Sequence, residues 1–241
     1  TGCRGVSYFE APEDYQGECQ QRILTATTDA RLIAIDALSG ARCSQFGEQG
    51  EIDLTIGMGN DPRIFNFQTS PPGIVRGNAV VGGWVFDNQS VGEPSGVVRA
   101  FDALSGEFAW AWDMGRPGVN IEPLRGEVYT RGTPNVWSLF SVDEELGLIY
   151  APTGNETPDY FGGQRMESSE QYASSIVAID GETGSVRWSY QTTHHDLWDY
   201  DVPSQPVLID LPGEGGEKVP AVLVPTKRAE VFVLNRVTGE P

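Results

Sequence analysis

Long apolar runs are missing from this chain. Nothing reaches the roughly 18 residues that a membrane-spanning helix needs, so no segment reads as crossing a bilayer. Positive charge is scarce as well: 16 basic residues stand against 34 acidic ones, a formal net charge of −18 that argues against nucleic acid or an anionic membrane surface as a partner. Helical periodicity of useful length is absent. Cysteine is limited to Cys3, Cys19 and Cys43, with no Cys-x-x-Cys spacing, which makes a zinc site a poor reading. The count fits one disulfide with a thiol left over, or three reduced thiols. The expectation leans to an oxidising compartment with Cys19 paired to Cys43. No initiator Met opens the chain at Thr1 and no signal peptide is visible, so both ends read as cut from a longer protein.

What is plentiful is turn-forming residues: 29 Gly and 16 Pro are spread along 241 residues, implying many tight turns rather than disorder. The segment Ile23 to Gly40 lies over Val222 to Gly239 without a gap. Each reads as a short apolar strand, a tight turn, a second apolar strand, then Asp or Asn and a Ser/Thr-Gly turn. The second half recurs at Ala100–Gly106 with Trp110 four residues on, and at Ala178–Gly184 with Trp188 four residues on. Asp36, Asp102, Asp180 and Asn235 are therefore equivalent positions. The Asp and Gly make a tight turn, and the Trp is expected to pack its large face on a neighbouring unit.

These units predict an all-β chain, a β-propeller with four-stranded antiparallel blades and tryptophan-docking motifs. Unit one has strands near Val6–Phe9, at Ile23–Ala26, at Leu32–Ile35 and after Gly40. Unit two has them at Gly73–Arg76, Ala79–Gly83, Val97–Phe101 and Glu107–Trp112. Unit three has Trp137–Val142, Gly147–Ala151, Ser174–Ile179 and Ser185–Tyr190. Unit four has Pro206–Ile209, Ala221–Pro225 and Val231–Leu234, and stops before a fourth strand. Three to four blades cannot close a ring, so residues 1–241 read as one partial propeller domain of about four blades, the last incomplete.

Strand parity then locates a mouth. In an antiparallel blade the loops between second and third strands emerge at the same end as the connections to the next blade. The polar oddities fall there: Thr69 and Ser70, Asp87 and Asn88, Trp137, Gly154-Asn155-Glu156-Thr157, Asp199, and Lys227-Arg228. The densest stretch is His194 to Pro203, which puts three carboxylates, both histidines and two aromatics into one loop. Apolar bulk beside carboxylates is what a buried acid/base site needs. Asn and Asp oxygens suit Ca²⁺, and a lysine near a carboxylate and an indole fits a planar anionic cofactor. Plainer readings stand beside these. The stretch can be an aromatic-anchored turn, Lys227 a solvated turn residue, and both histidines loop-packing groups. Asn88-Gln-Ser and Asn155-Glu-Thr also match the glycosylation pattern.

Cys3-Arg4-Gly5-Val6-Ser7-Tyr8, Thr28 to Ala34, His194-His195-Asp196-Leu197-Trp198-Asp199 and Pro225-Thr226-Lys227 together resemble the pyrroloquinoline quinone (PQQ) dehydrogenases, above all the membrane-bound glucose, quinate and shikimate branch. The resemblance runs over essentially the whole chain. It implies an eight-bladed catalytic propeller of which this chain is about half. It implies PQQ as cofactor with Ca²⁺ or Mg²⁺, and oxidation of a sugar, cyclic polyol or hydroxy acid. Electrons would pass to ubiquinone on the periplasmic side of the bacterial inner membrane, with an anchor outside this chain. Residue by residue, it implies Asp199 as general base and Lys227 on the quinone oxygens. Trp137 would stack on the ring, with Ser70 and Arg4 as further cofactor contacts. The cation would lie at Asn155, with Asn88 or Asp87 opposite and Thr157 nearby. The adjacent Cys-Cys pair of the alcohol dehydrogenase branch is absent, and Lys227 stands where that branch has Arg. The rival is a non-catalytic propeller scaffold like the outer-membrane assembly lipoproteins, which share the tryptophan-docking repeat.

Overall fold

The computed structural model describes residues 5–61, 71–86, 88–213 and 215–241. Four antiparallel sheets follow one another along the chain. The first is β1 (Ser7–Glu10), β2 (Gln21–Ala26), β3 (Arg31–Asp36) and β4 (Glu51–Asp53). The second is β5 (Gly73–Val75), β6 (Asn78–Val81), β7 (Val98–Asp102) and β8 (Phe108–Trp112). The third is β9 (Ser141–Asp143), β10 (Leu148–Pro152), β11 (Ser175–Asp180) and β12 (Val186–Gln191). The fourth, with three strands, is β13 (Val207–Pro212), β14 (Lys218–Pro225) and β15 (Val231–Asn235). Within every sheet the strands pair in chain order. The first strands of successive sheets lie side by side, β1 by β5, β5 by β9 and β9 by β13. This is the blade arrangement the repeats predict.

The core lies between the sheets because alternate residues of one strand face opposite neighbours. Val80, Val98 and Ala100 of the second sheet join Ile149, Ala151, Val177 and Ile179 of the third. Their strand neighbours Ala79, Val81 and Phe101 turn the other way, onto Leu24, Leu32 and Ala34 of the first. The third and fourth sheets meet through Tyr150, Ile176, Val222, Val224 and Leu234, with Val202 of the connecting loop inserted among them.

The repeated turn has one geometry throughout. Asp36 Oδ1 accepts the backbone N–H groups of Leu38 and Ser39, Asp102 those of Leu104 and Ser105, and Asp180 those of Glu182 and Thr183. Asn235 does the same for Val237 and Thr238. The closing glycines Gly40, Gly106, Gly184 and Gly239 all have φ between 71° and 78°, the left-handed region in which a Cβ is disfavoured. Trp110 donates its indole N–H to Gly181 O at 3.0 Å, and Trp188 donates to Arg236 O at 3.2 Å, each tying its blade to the next.

The structure sharpens two boundaries. The fourth strand of unit one lies at Glu51–Asp53, well beyond Gly40. The intervening segment first closes the Cys19–Cys43 disulfide, with a Cα–Cα separation of 5.8 Å, and buries Phe46. In unit three the first strand, expected at Trp137–Val142, is Ser141–Asp143. A four-residue helix, α1 (Glu167–Glu170), was too short to register as periodicity.

Candidate functional site

Four of the loops expected to share one mouth do meet. The β12–β13 connection carries Asp199, the β14–β15 turn Lys227, the β8–β9 connection Trp137 and the β10–β11 connection Asn155. Lys227 Nζ stands 2.6 Å from Asp199 Oδ1 and 3.6 Å from Asp201 Oδ2. It also lies 5.8 Å from the centroid of the Trp137 ring, within reach of a cation–π attraction. Trp137 donates its indole N–H to Asp201 Oδ2 at 2.8 Å. Burial alone would lower the Lys227 pKa, but Asp201 and Asp199 outweigh it and hold the ammonium above its ordinary range.

Asp196 shapes the loop that presents Asp199. Its fully buried carboxylate accepts hydrogen bonds from Ser174 Oγ at 2.7 Å, Trp198 N at 2.9 Å and Tyr200 N at 2.6 Å. Those bonds wind the chain around one acid, and Asp199 between them is carried to φ +62°, a conformation that Asp tolerates better than most residues. From outside, Arg165 and Asn155 donate to the Asp196 carbonyl, Asn155 at 2.9 Å. His195 pairs with Glu170 Oε1 of α1 at 3.1 Å and His194 with Gln191 Oε1 at the end of β12 at 2.7 Å, so both rings have hydrogen-bonding partners.

The oxygen donors sit on the adjacent loop. Asn155 commits its amide N–H groups to the carbonyls of Asp159 and Asp196, while its Oδ1 accepts only the N–H of Glu156 at 3.0 Å among the described contacts. A carbonyl oxygen takes two such bonds, so acceptor capacity is left for a cation. Thr157 Oγ1 is buried without a hydrogen-bond partner among the described residues, a second oxygen suited to a ligand. Asn88 is turned to the same loop, donating to Asp159 Oδ2 at 3.1 Å and accepting from Tyr160 N at 3.3 Å. Burial raises the pKa of the neighbouring Glu156 carboxyl, although the Ser169 hydroxyl and the Met166 N–H pull the other way. No group of three or more His, Cys, Asp or Glu is placed to hold a metal among the described residues. Arg4, Thr69, Ser70 and Asp87, named from the sequence, lie outside the described residues.

Gly154 completes the geometry. A Cβ there would fall 2.7 Å from Asn135 Oδ1 and 3.3 Å from both Asp201 Oδ2 and Trp137 Cδ1. Bare backbone, a flat indole, an ammonium and an accessible carboxylate thus converge. The set suits a planar anion. Asp199, Lys227, Trp137 and Asn155, singled out in the sequence, lie on loops that meet here. Sequence reasoning gave no role to Asp196 or Asp201, whose signal was only their place in the same acidic stretch.

The family described as "PQQ: Glucose/ethanol/alcohol dehydrogenase, beta-propeller domain" matches residues 1–241. The glycerol dehydrogenase large subunit of Gluconobacter oxydans is 46% identical over 242 residues, covering 100% of this chain and 33% of its own length. Quinoprotein glucose dehydrogenase A of Acinetobacter calcoaceticus is 40% identical over 254 residues, covering 99% of this chain and 31% of its own. The chain spans about a third of the length of these curated relatives. Among solved structures, the quinohemoprotein alcohol dehydrogenase from Comamonas testosteroni superposes with a TM-score of 0.73 at 24% identity, over 99% of this chain and 34% of that one, a likeness of fold.

Proposed function

The chain belongs to the β-propeller family of PQQ-dependent glucose, ethanol and alcohol dehydrogenases, and from that premise we propose that it supplies the base-bearing part of a dehydrogenase acting on a sugar, cyclic polyol or hydroxy acid. The observation that carries the reading is the Lys227–Asp199 pair at 2.6 Å, set beside the Trp137 ring. Asp199 accepts the proton of the substrate hydroxyl. Its side chain is about a third exposed, so an alcohol can reach it. Bound PQQ would supply the carbonyl that takes up hydride from the carbinol carbon, with a divalent cation polarising that carbonyl. Lys227 would donate hydrogen bonds to the quinone oxygens and offset the negative charge that grows there. Trp137 offers the stacking face, and Ser70 and Arg4 are further contacts for the ring's polar rim.

Asn155 would hold the cation, Ca²⁺ or Mg²⁺, with Asn88 or Asp87 opposite and Thr157 as a further oxygen. An all-oxygen donor set is what Ca²⁺ prefers. The electron acceptor is ubiquinone, on the periplasmic side of a bacterial inner membrane. Glucose, quinate, shikimate and glycerol are the substrates to try.

Asp199→Asn in the full-length protein tests the assignment. Turnover is expected to fall by about a thousandfold while PQQ stays bound, because the base is lost and the stacking face is kept. Substantial turnover in that variant would overturn the role of Asp199.

A further inference from the structure

We propose that Asp201 is a positioning residue that fixes the Trp137 face and the Lys227 ammonium relative to each other and keeps Lys227 charged while Asp199 takes up its proton. The inference rests on the function proposed above.

One oxygen serves two groups from different parts of the chain. Asp201 Oδ2 accepts the Trp137 indole N–H at 2.8 Å and lies 3.6 Å from Lys227 Nζ. Asp201 is itself rigidly held. The next residue, Val202, donates its N–H to Thr153 O at 3.2 Å and is fully buried in the core between the third and fourth sheets. Ser138 Oγ, next to Trp137, donates to Pro203 O at 2.9 Å, and Gly154 N donates to Asn135 O at 2.7 Å. The carboxylate is thus built into the frame rather than placed at a loop tip.

Its charge needs a reason. The Asp201 side chain is only 8% exposed, and burying a carboxylate is costly unless a charge answers it. An indole N–H is satisfied by any neutral acceptor, so Trp137 alone does not account for an acid. Lys227 does. The charged groups facing Lys227 among the described residues are Asp199 and Asp201, while its neighbour Arg228 is turned to Glu230 at 3.2 Å. When the substrate O–H bond breaks and its proton joins Asp199, that carboxylate becomes neutral. Asp201 then remains as the counter-charge of Lys227, and the ammonium goes on donating hydrogen bonds.

Three variants of the full-length protein separate the two roles, read by PQQ titration followed spectroscopically and by the pH profile of kcat. Asp201→Asn keeps an acceptor for Trp137 but drops the charge. Its PQQ affinity should stay near wild type while the alkaline limb moves down by about one pH unit. Trp137→Phe should weaken PQQ binding about tenfold and leave the limb in place. Asp201→Ala should do both. Melting temperatures without PQQ give the purely structural effect, and if Asp201→Ala fails to fold the other two carry the test. An unmoved limb in Asp201→Asn, or unchanged PQQ affinity in Trp137→Phe, overturns the inference while the proposed function stands. A wild type that binds no PQQ overturns both.

Discussion

Trp110 lays its indole against Gly184 in the turn of the next blade, so closely that a Cβ on the glycine would fall 2.6 Å from Trp110 Cε3. Trp188 repeats the relationship on Gly239, at 2.7 Å. The indole N–H is spent on the neighbouring turn's backbone in both cases. Each tryptophan therefore both covers and hydrogen-bonds the following repeat. Gly184→Ala should cost about 3 kcal/mol, from overpacking added to left-handed strain. Gly40→Ala, with the same φ sign and nothing within 4 Å of its Cβ, should cost about 1 kcal/mol. Denaturant titration of the two variants checks the difference, and equal losses would contradict the docking account.

The Lys227 ammonium titrates above its ordinary value of 10.5 in the folded chain. Its ion pairs therefore contribute stability fully present below the unfolded pKa and lost as pH rises through the folded one. Lys227→Met should be less stable than wild type by about 1 kcal/mol at neutral pH. The gap should close in strongly alkaline solution. A gap that stays constant across that range would show the lysine acting through packing alone.

Asp196 is the acid around which the Asp199 loop is wound, through Ser174, Trp198 and Tyr200. Asp196→Ala leaves one hydroxyl and two backbone N–H groups unanswered and should destabilise by about 3 kcal/mol. It should lower kcat as well, since Asp199 no longer has its presenting turn. Asp196→Asn, which keeps one accepting oxygen, should fall between. Stability together with kcat for the pair is the check, and an Ala variant with full turnover would remove Asp196 from the account.

Cys19 and Cys43 are joined over a separation of 24 residues, next to the core of the first blade. Closing a loop of that size is worth about 3 kcal/mol through the unfolded chain. Reductant should accordingly lower the melting temperature, and Cys19→Ser should reproduce the shift and abolish further response to reductant. A melting temperature indifferent to reductant would contradict the bridge.

The strands of this fold were legible where the repeat carried them. The second and third strands of each unit fall within a few residues of expectation, because Asp36, Asp102, Asp180 and Asn235 fix the register of the turn that follows. The fourth strand of unit one was legible only as lying after Gly40, because a disulfide and the burial of Phe46 intervene and neither leaves a period in the sequence. Helix α1 escaped because a single turn carries no periodicity, and because Glu156, which holds its N-terminal end through Met166 N and Ser169 Oγ, is far from it along the chain.

At the mouth, strand parity was enough to bring the loops of Asp199, Lys227, Trp137 and Asn155 to one end of the blades. Asp201 did not stand out because its contacts exist only in three dimensions. They are with Trp137, 64 residues away, and with Lys227 in the β14–β15 turn. Nothing local distinguishes it from the other acids of the stretch.

The central claim is that this chain forms part of a PQQ- and cation-dependent oxidation site. The most direct measurement is dye reduction by the full-length protein freed of cofactor, with PQQ and Ca²⁺ added separately and together, against glucose, quinate, shikimate and glycerol. Turnover of at least one of these is expected only when both are present, with a spectral change marking bound PQQ. Absence of turnover and of any spectral sign of PQQ binding, with both additions made, would contradict the claim.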